Sequence, residues 1–237
     1  MEIIPVIDLM NGHVVHAKRG ERQHYQPIQS GLCRSSKPID IVNALLGLYP
    51  FKRLYFADIN AIQKNCDHAD ILIQLRDEHP NLDIWLDAGF SQSSSIEKWQ
   101  RHGIQCVIGS ESLASITAFQ DICKACQQAP VLSLDFQQAF IGPSGLDQIP
   151  TLWPDQMILM SLERVGSELG PDFERLNHFS KLLKNTALYA AGGVRHLDDL
   201  WQLKRMGMTG VLVASALHTG MITRETLLAL ATMRLSD

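Results

Sequence analysis

Eight short apolar segments, each too brief to form a helix, recur along the chain at nearly even intervals. Most are apolar without interruption, which is typical of parallel strands buried on both faces. The segments span Ile3–Leu9, Arg53–Asp58, Leu82–Asp87, Gln105–Gly109, Pro130–Asp135, Gln156–Leu162, Ala187–Ala191 and Gly210–Ala214. Stretches with helical spacing alternate with them, at Ile39–Leu48, Asp70–Glu78, Ser94–Arg101, Ser115–Cys126, Asp172–Leu183, Leu197–Met206 and Arg224–Met233. This alternation predicts an α/β fold with a parallel sheet.

The length of the chain favours a closed barrel. Eight strand–helix units in 237 residues allow about 30 residues per unit, which is the size of one parallel βαβ step. A (βα)8 barrel of the TIM-barrel type accounts for residues 1–237 as a single domain without a linker. An open doubly wound sheet is the alternative, because periodicity alone does not show closure.

An internal repeat supports closure and predicts two similar half-barrels. Residues 86–113, moved forward by 104 positions, align without gaps with residues 190–217 and give five identities in 28 positions. Among these identities are Gly89 with Gly193 and Gly103 with Gly207, at the ends of strands and helices, where the backbone has few alternatives. The half-barrels would cover about residues 1–127 and 128–237.

Composition and charge exclude several classes of function. With 21 Lys and Arg against 25 Asp and Glu, the chain has a formal net charge of −4 at pH 7. Because it lacks a basic field for a polyphosphate backbone, we expect no nucleic-acid partner. No segment resembles an export signal or a membrane span, so we expect a cytoplasmic protein without a membrane partner. The oligomeric state is open, with a homo-oligomer among the alternatives.

The cysteines and histidines do not indicate a metal or redox site. The five cysteines are scattered, which is typical of free thiols in a reducing compartment. Cys123 and Cys126 form a Cys-x-x-Cys pattern late in a predicted helix, where packing is favoured over zinc or redox chemistry. The nine histidines show no ligand pair on a convincing helix face. We therefore expect neither a metal nor a cofactor.

Two aspartates end the first and fifth predicted strands, which lie opposite each other in an eight-stranded barrel. These residues are Asp8 and Asp135. Active sites of such barrels form at the C-terminal ends of the strands. Two carboxyls that face one substrate suit acid–base catalysis when one is protonated and the other is ionised. Asp8 and Asp135 are therefore candidate catalytic residues; the alternative is that each only caps the following turn.

A candidate phosphate site follows the last two strands. Gly192 and Gly193 follow the seventh strand, and Ala214 and Ser215 follow the eighth. Glycines let backbone amides approach a ligand closely, and barrels commonly bind phosphate at this position. The alternative is that the glycines serve only a tight turn.

The internal repeat predicts a second site, equivalent to this candidate phosphate site but with different residues, after the third and fourth strands. It contains Asp87, Gly89, Ser110 and Glu111. The two acids stand at or beside the position of an anion and would repel it. We therefore expect a substrate with a phosphate at one end and a neutral or cationic group at the other.

Together these residues resemble a known family, the ProFAR isomerase and the imidazole glycerol phosphate synthase cyclase of histidine biosynthesis. The resemblance extends over nearly the whole chain and includes residues 4–9 and 12–15 with Gly20, the two aspartates and the glycine loops of the last two strands. It implies a duplicated half-barrel in which Asp8 and Asp135 act as catalytic acid and base. It leaves open which aspartate has which role.

The chain departs from that isomerase at several positions. Asp87-Ala88-Gly89 and Gly109-Ser110-Glu111 replace a glycine-rich turn and a Gly-Thr. Val165-Gly166-Ser167 replaces an Asp-Gly-Thr, and Met160 stands where the family has a strand-end Thr. Residues 163–167 look most like the isomerase-related paralogues of methanogens and methylotrophs, which are linked to one-carbon cofactor biosynthesis.

The resemblance implies metal-independent acid–base chemistry on a small phosphorylated metabolite. One aspartate would protonate a ring oxygen to open an aminoaldose, and the other would remove the C2 proton to give an aminoketose. A divergent paralogue, in biosynthesis of a tetrahydromethanopterin- or methanofuran-type cofactor, is favoured. The alternatives are a genuine ProFAR isomerase and a silent paralogue that binds a phosphometabolite or a partner subunit.

Several residues near the barrel rim are candidates for further substrate contacts. Ser161 and Glu163 would orient hydroxyl groups, and Arg19 and Arg164 would bind a carboxylate or phosphate; the alternative for each is a solvent-facing side chain. The polar residues 11–38 carry the extra length of the first half, and whether they form a lid is open.

Overall fold

Eight parallel strands form the centre of the computed structural model, which describes residues 1–182 and 186–232. The strands are β1 (Glu2–Met10), β2 (Arg53–Asp58), β3 (Asp83–Asp87), β4 (Gln105–Gly109), β5 (Val131–Phe136), β6 (Gln156–Ser161), β7 (Ala187–Ala191) and β8 (Gly210–Val213). The longer helices are α1 (Pro38–Leu48), α2 (Ala69–Glu78), α3 (Glu97–Arg101), α4 (Ile116–Ala125), α5 (Phe173–Leu182), α6 (Leu197–Arg205) and α7 (Arg224–Thr232).

The strands close into a barrel. Each pairs in parallel with the next along the chain. The ring is completed by β8 and β1, where Ile3 lies opposite Val211 and Ile4 opposite Leu212. The prediction of a (βα)8 barrel is confirmed, and the open doubly wound sheet was the wrong alternative.

The predicted element boundaries need small corrections. The third strand begins at Asp83, one residue after its predicted start, and the eighth ends at Val213, one residue early. The predicted helix Ser94–Arg101 divides into a 3-10 turn at Ser93–Ser95 and the short helix α3. Leu183 and Met233, the predicted last residues of two helices, lie outside the described residues.

Alternation along each strand separates two layers of core. One set of side chains, including Phe56, Leu86 and Leu134, packs against the helices. The other set, including Tyr55, Trp85 and Val131, fills the barrel interior. Because successive side chains point to opposite faces, the residues two and four positions beyond an interior side chain also face inward. By this rule Asp8 near the end of β1, Asp87 at the end of β3 and Asp135 near the end of β5 point into the barrel mouth.

Residues 11–38 lie across loops that follow other strands. They contain the short strand His13–His16, which pairs with β1. The backbone N–H groups of Gly12, Arg19 and Gly31 donate to His68 Nε2 at 3.0 Å, Val165 O at 2.9 Å and His218 O at 2.7 Å. The loop is therefore held against the segments that follow β2, β6 and β8.

The glycines of the internal repeat adopt matching conformations. Gly89 and Gly193 have φ of 66° and 85°, and Gly103 and Gly207 have φ of 66° and 79°. These left-handed values favour glycine at all four positions. The agreement is what a duplicated half-barrel would give, although the duplication itself stays a prediction.

Cys123 lies in the last turn of α4, and Cys126 is the residue that caps it. All five cysteines are free thiols, and burial raises the pKa of Cys106 to about 12 and that of Cys123 to about 11. A thiol that stays protonated is a poor nucleophile and metal ligand. Within residues 1–182 and 186–232, no helix is both long and apolar enough to cross a membrane.

Candidate active site

A cavity of about 940 Å³, counting the space open to solvent, occupies the C-terminal mouth of the barrel. Acidic residues from β1, β3, β5 and the turn after β4 line one part of it. The loops after β6, β7 and β8 line another part. This placement at the strand C-termini is where barrel enzymes build their active sites.

Asp8 and Asp135, the predicted catalytic pair, both line this cavity. Asp8 is 8% exposed and Asp135 is 4% exposed. Neither forms an ion pair with a basic side chain among the described residues. The structure thus brings the two carboxyls to one cavity and gives neither of them a basic ion-pair partner among the described residues.

The two carboxyls differ in their hydrogen bonds. Asp135 accepts from the Ser133 hydroxyl at 2.7 Å and from the Glu111 backbone N–H at 3.1 Å. Asp8 accepts no hydrogen bond from the described residues. Burial raises the pKa of Asp8 to about 7, although the positive charge of Arg22 acts in the opposite direction. Burial and the negative charges of Asp87 and Glu111 raise the pKa of Asp135 to about 8. Near neutral pH, proton donor and proton acceptor states are therefore both accessible.

Asp87 adds a third buried carboxyl beside Asp135. A Cβ at Gly109 would lie 3.0 Å from Asp87 Oδ2 and 3.2 Å from Asp135 Oδ2. Glycine at the end of β4 therefore lets both side chains occupy the space between β3 and β5. Burial raises the pKa of Asp87 to about 7, and the charge of Glu111 acts in the same direction.

Arg22, Tyr25 and Tyr55 line the cavity, although sequence reasoning did not select them. Arg22 comes from the loop after β1 and forms an ion pair with Glu111. The Tyr55 hydroxyl donates to Asp87 Oδ2 at 3.5 Å, and burial together with the surrounding carboxylates raises its pKa well above the ordinary value. Inward alternation in β2 could have identified Tyr55, whereas no periodic signal marks the loop residues Arg22 and Tyr25.

The loops after β7 and β8 bring Gly192, Gly193, Ala214 and Ser215 to the same cavity. A Cβ at Gly192 would lie 2.5 Å from Ser161 O, and one at Gly193 would lie 2.3 Å from Gly170 O, so close backbone packing demands both glycines. The backbone N–H groups of Gly193, Ala214 and Ser215 donate to no acceptor in the described part of the chain. These open donors suit an anion.

Two of the three corresponding amides after β3 and β4 are already occupied. Gly89 N–H donates to Asp87 Oδ1 at 3.0 Å, and Glu111 N–H donates to Asp135 Oδ2 at 3.1 Å. The Ser110 hydroxyl donates to Ile141 O at 2.6 Å. The protein's own carboxylates thus take the donors that a second anion would need, and neither Gly89 nor Ser110 lines the cavity.

The other predicted contacts support the loop after β6 and do not line the cavity. Arg175, a residue that sequence reasoning did not select, donates to Ser161 Oγ at 3.1 Å and to Glu163 Oε1 at 3.5 Å. Arg164 donates to Gly170 O at 2.9 Å. Arg19 is also absent from the lining, and its backbone bond to Val165 joins the loops after β1 and β6. The loop reaches the cavity instead through Leu162 and residues 165–167.

Within the described ranges, no group of three or more histidine, cysteine, aspartate or glutamate side chains is arranged to hold a metal ion.

The sequence is similar to known proteins over almost its full length. A family described as histidine biosynthesis protein matches residues 2–223. An uncharacterized protein of Methanocaldococcus jannaschii is 30% identical over 227 residues, which are 95% of this chain and 96% of that protein.

Other relatives have a named activity. A 1-(5-phosphoribosyl)-5-((5-phosphoribosylamino)methylideneamino)imidazole-4-carboxamide isomerase of Nostoc punctiforme is 23% identical, covering 100% of this chain and 96% of the relative. The isomerase of the same name from Archaeoglobus fulgidus is 22% identical and covers 92% of each chain. The substrate in that name carries two phosphoribosyl groups.

Proposed function

The chain belongs to the histidine biosynthesis protein family, and from this premise we propose that it is an aldose–ketose isomerase acting on a small molecule with one phosphate. The observation that carries the proposal is one cavity that combines buried, ion-pair-free Asp8 and Asp135 with the open amides after β7 and β8. Relatives named as isomerases support the reaction type.

In the proposed reaction, Asp8 and Asp135 move protons while the phosphate loops hold the substrate. One carboxyl protonates the ring oxygen of an aminoaldose, and the C1–O bond opens to an iminium. The other removes the C2 proton to form an enamine, which tautomerises to the aminoketose, so no atom is gained or lost overall. The raised pKa values of both residues make this exchange feasible near neutral pH.

The occupied amides after β3 and β4 support a single phosphate. A second phosphate would have to displace the Asp87 and Asp135 carboxylates from Gly89 N–H and Glu111 N–H. It would also meet the negative charge of Glu111. A substrate whose far end is neutral or cationic avoids both costs, and this disfavours genuine ProFAR isomerase activity.

The experiment is solvent deuterium exchange on a panel of aminoaldose phosphates. We expect wild-type protein in D2O to form an aminoketose that carries deuterium at C1, the carbon that is protonated when the enamine tautomerises. Asp8→Asn and Asp135→Asn should slow incorporation by about 10²- to 10⁴-fold with ligand affinity retained. Asp121→Asn, on the exposed face of α4, is the matched control and should not change the rate.

Three results would contradict the proposal. Wild-type rates in both active-site variants would remove their catalytic role. Ligand binding without turnover of any panel member would favour the silent paralogue. Isomerisation of ProFAR at a metabolic rate would show that the single-phosphate argument is wrong.

We also propose that the product serves one-carbon cofactor biosynthesis of the tetrahydromethanopterin or methanofuran type. The support is the resemblance of residues 163–167 to the methanogen and methylotroph paralogues and the similarity to the Methanocaldococcus jannaschii protein. A strain lacking the gene should lose such a cofactor and grow without added histidine. Histidine auxotrophy with normal cofactor content would contradict this assignment.

A further inference from the structure

The acidic part of the cavity contains more acidic than basic side chains. Asp8, Asp87, Glu111 and Asp135 line the cavity together with one basic residue, Arg22. Arg22 is paired with Glu111, and although its charge opposes the rise in the pKa of Asp8 and Asp87, it forms no ion pair with any of the three aspartates among the described residues. Asp87 and Asp135 approach the same point beside Gly109, and ionising both in this buried space is costly unless protons or a bound cation compensate them.

Two of these side chains have unused acceptor capacity. Asp8 is 8% exposed, lines the cavity and accepts no hydrogen bond from the described residues. Asp87 is 6% exposed, and its Oδ2 has only a long contact of 3.5 Å with the Tyr55 hydroxyl. Buried carboxylate oxygens normally have hydrogen-bond donors, so these open positions indicate that a ligand supplies them.

An ammonium group fits this arrangement better than the other groups that a phosphorylated substrate could carry. It brings positive charge and N–H donors together, and it needs no donor from the protein. A second phosphate would find the nearby amides of Gly89 and Glu111 occupied. A neutral apolar group would leave the carboxyls uncompensated.

We propose that the substrate carries a protonated amine at the end opposite its phosphate, and that Asp87 receives it beside Glu111 and Asp135, in the cavity that Asp8 also lines. The inference rests on the proposed function, because the phosphate site after β7 and β8 determines which end of the substrate reaches Asp87. It narrows the substrate class to phosphorylated amines.

The test compares three ligands of matched chain length: an alkyl phosphate, an ω-aminoalkyl phosphate and an alkane bisphosphate. Isothermal titration calorimetry should show the aminoalkyl phosphate binding about tenfold tighter than the alkyl phosphate or more. Asp87→Asn should abolish this gain and preserve affinity for the alkyl phosphate. Glu111→Gln should reduce the gain and, by freeing Arg22, improve bisphosphate binding. Glu174→Gln, on the exposed start of α5, is the matched control.

The number of protons released or taken up when a ligand binds can be measured in the wild-type protein, without any variant. A cation lowers the pKa of neighbouring carboxyls, so the aminoalkyl phosphate should release protons when it binds near pH 7 to 8, where Asp8, Asp87 and Asp135 titrate. An anion raises the same pKa values, and the bisphosphate should take protons up. Titrations in buffers of different ionisation enthalpy measure the sign.

The outcomes separate this inference from the function on which it rests. Equal affinity for the alkyl and aminoalkyl phosphates would overturn the amine site and leave the phosphate site intact. Tighter binding of the bisphosphate would overturn both the amine site and the single-phosphate argument. Failure of all three ligands to bind would overturn the proposed function and the inference with it.

Discussion

Replacing Gly109 with alanine changes the separation of two buried carboxyls and little else. The new Cβ would lie 3.0 Å from Asp87 Oδ2 and 3.2 Å from Asp135 Oδ2, so the side chains must move by a few tenths of an ångström. The backbone at Gly109, with φ −73° and ψ 128°, is open to alanine. The perturbation therefore acts on the carboxyls and not on the path of the chain.

The size of the effect follows from two opposing contributions. An extra methyl in a packed site costs about 1–3 kcal/mol, and the loss of a glycine from the unfolded chain returns about 0.4–1 kcal/mol. We expect the free energy of unfolding to fall by about 1–2 kcal/mol. Displaced carboxyls should lower kcat by about 10- to 100-fold, since reacting groups tolerate little misplacement.

Urea unfolding and the deuterium-exchange assay measure the two effects. Gly47→Ala is the control, because Gly47 lies in α1 with no atom within 4 Å of the added Cβ. It should gain about 0.5–1 kcal/mol in stability and keep the wild-type rate. A Gly109→Ala protein with wild-type kcat and a wild-type pH profile would show that the arrangement of Asp87 and Asp135 is not catalytic.

Three further predictions concern the same cavity. The pKa of Asp135 is raised from 3.8 to about 8, so between these pH values the folded state holds a proton that the unfolded state loses. The free energy of unfolding of the wild type therefore falls as the pH rises from about 4 to about 8. Asp135→Asn lacks this dependence and should become more stable relative to the wild type over the same range, by a few kcal/mol at most in urea unfolding. Gly193→Ala would place a Cβ 2.3 Å from Gly170 O at φ 85°, so it should lower the melting temperature and weaken alkyl phosphate binding; unchanged affinity would exclude this loop as the phosphate site. Arg22→Gln removes the cation that lowers the pKa of Asp8, so one limb of the pH–rate profile should move to higher pH, and an unmoved profile would show that Asp8 does not titrate in catalysis.

The fold and the acidic residues of the cavity followed from the sequence because both depend on strand periodicity. Continuous apolar segments of similar length specify buried parallel strands, and alternation specifies which strand-end side chains face the barrel mouth. Asp8, Asp87 and Asp135 each lie an even number of residues beyond an interior side chain. Their convergence on one cavity was therefore predictable once the barrel was assumed.

The loop residues were not predictable in the same way. Arg19 and Arg22 are separated by two residues in one polar loop, and only Arg22 reaches the cavity. Which of them does so depends on the bonds that hold the loop to the segments after β2, β6 and β8. Arg164 was a reasonable substrate ligand by charge, yet its guanidinium donates to backbone carbonyls of its own loop. Such tertiary contacts leave no periodic signal in the sequence.

The two parts of the cavity show how similar backbones can present different groups to a ligand. Gly89 and Gly193 occupy equivalent places in the internal repeat and share a left-handed conformation, so the backbone alone offers amides at both. After β7, the strand ends in Ala191 and the Gly193 amide donates to no described acceptor. After β3, the strand ends in Asp87, which takes the Gly89 amide for itself. The Asp87 carboxylate accepts the hydrogen bond that a bound anion would otherwise accept, and Asp87 also lines the cavity. One side chain therefore occupies an amide that the other half leaves open, and this difference is the physical basis on which we propose a substrate with unlike ends.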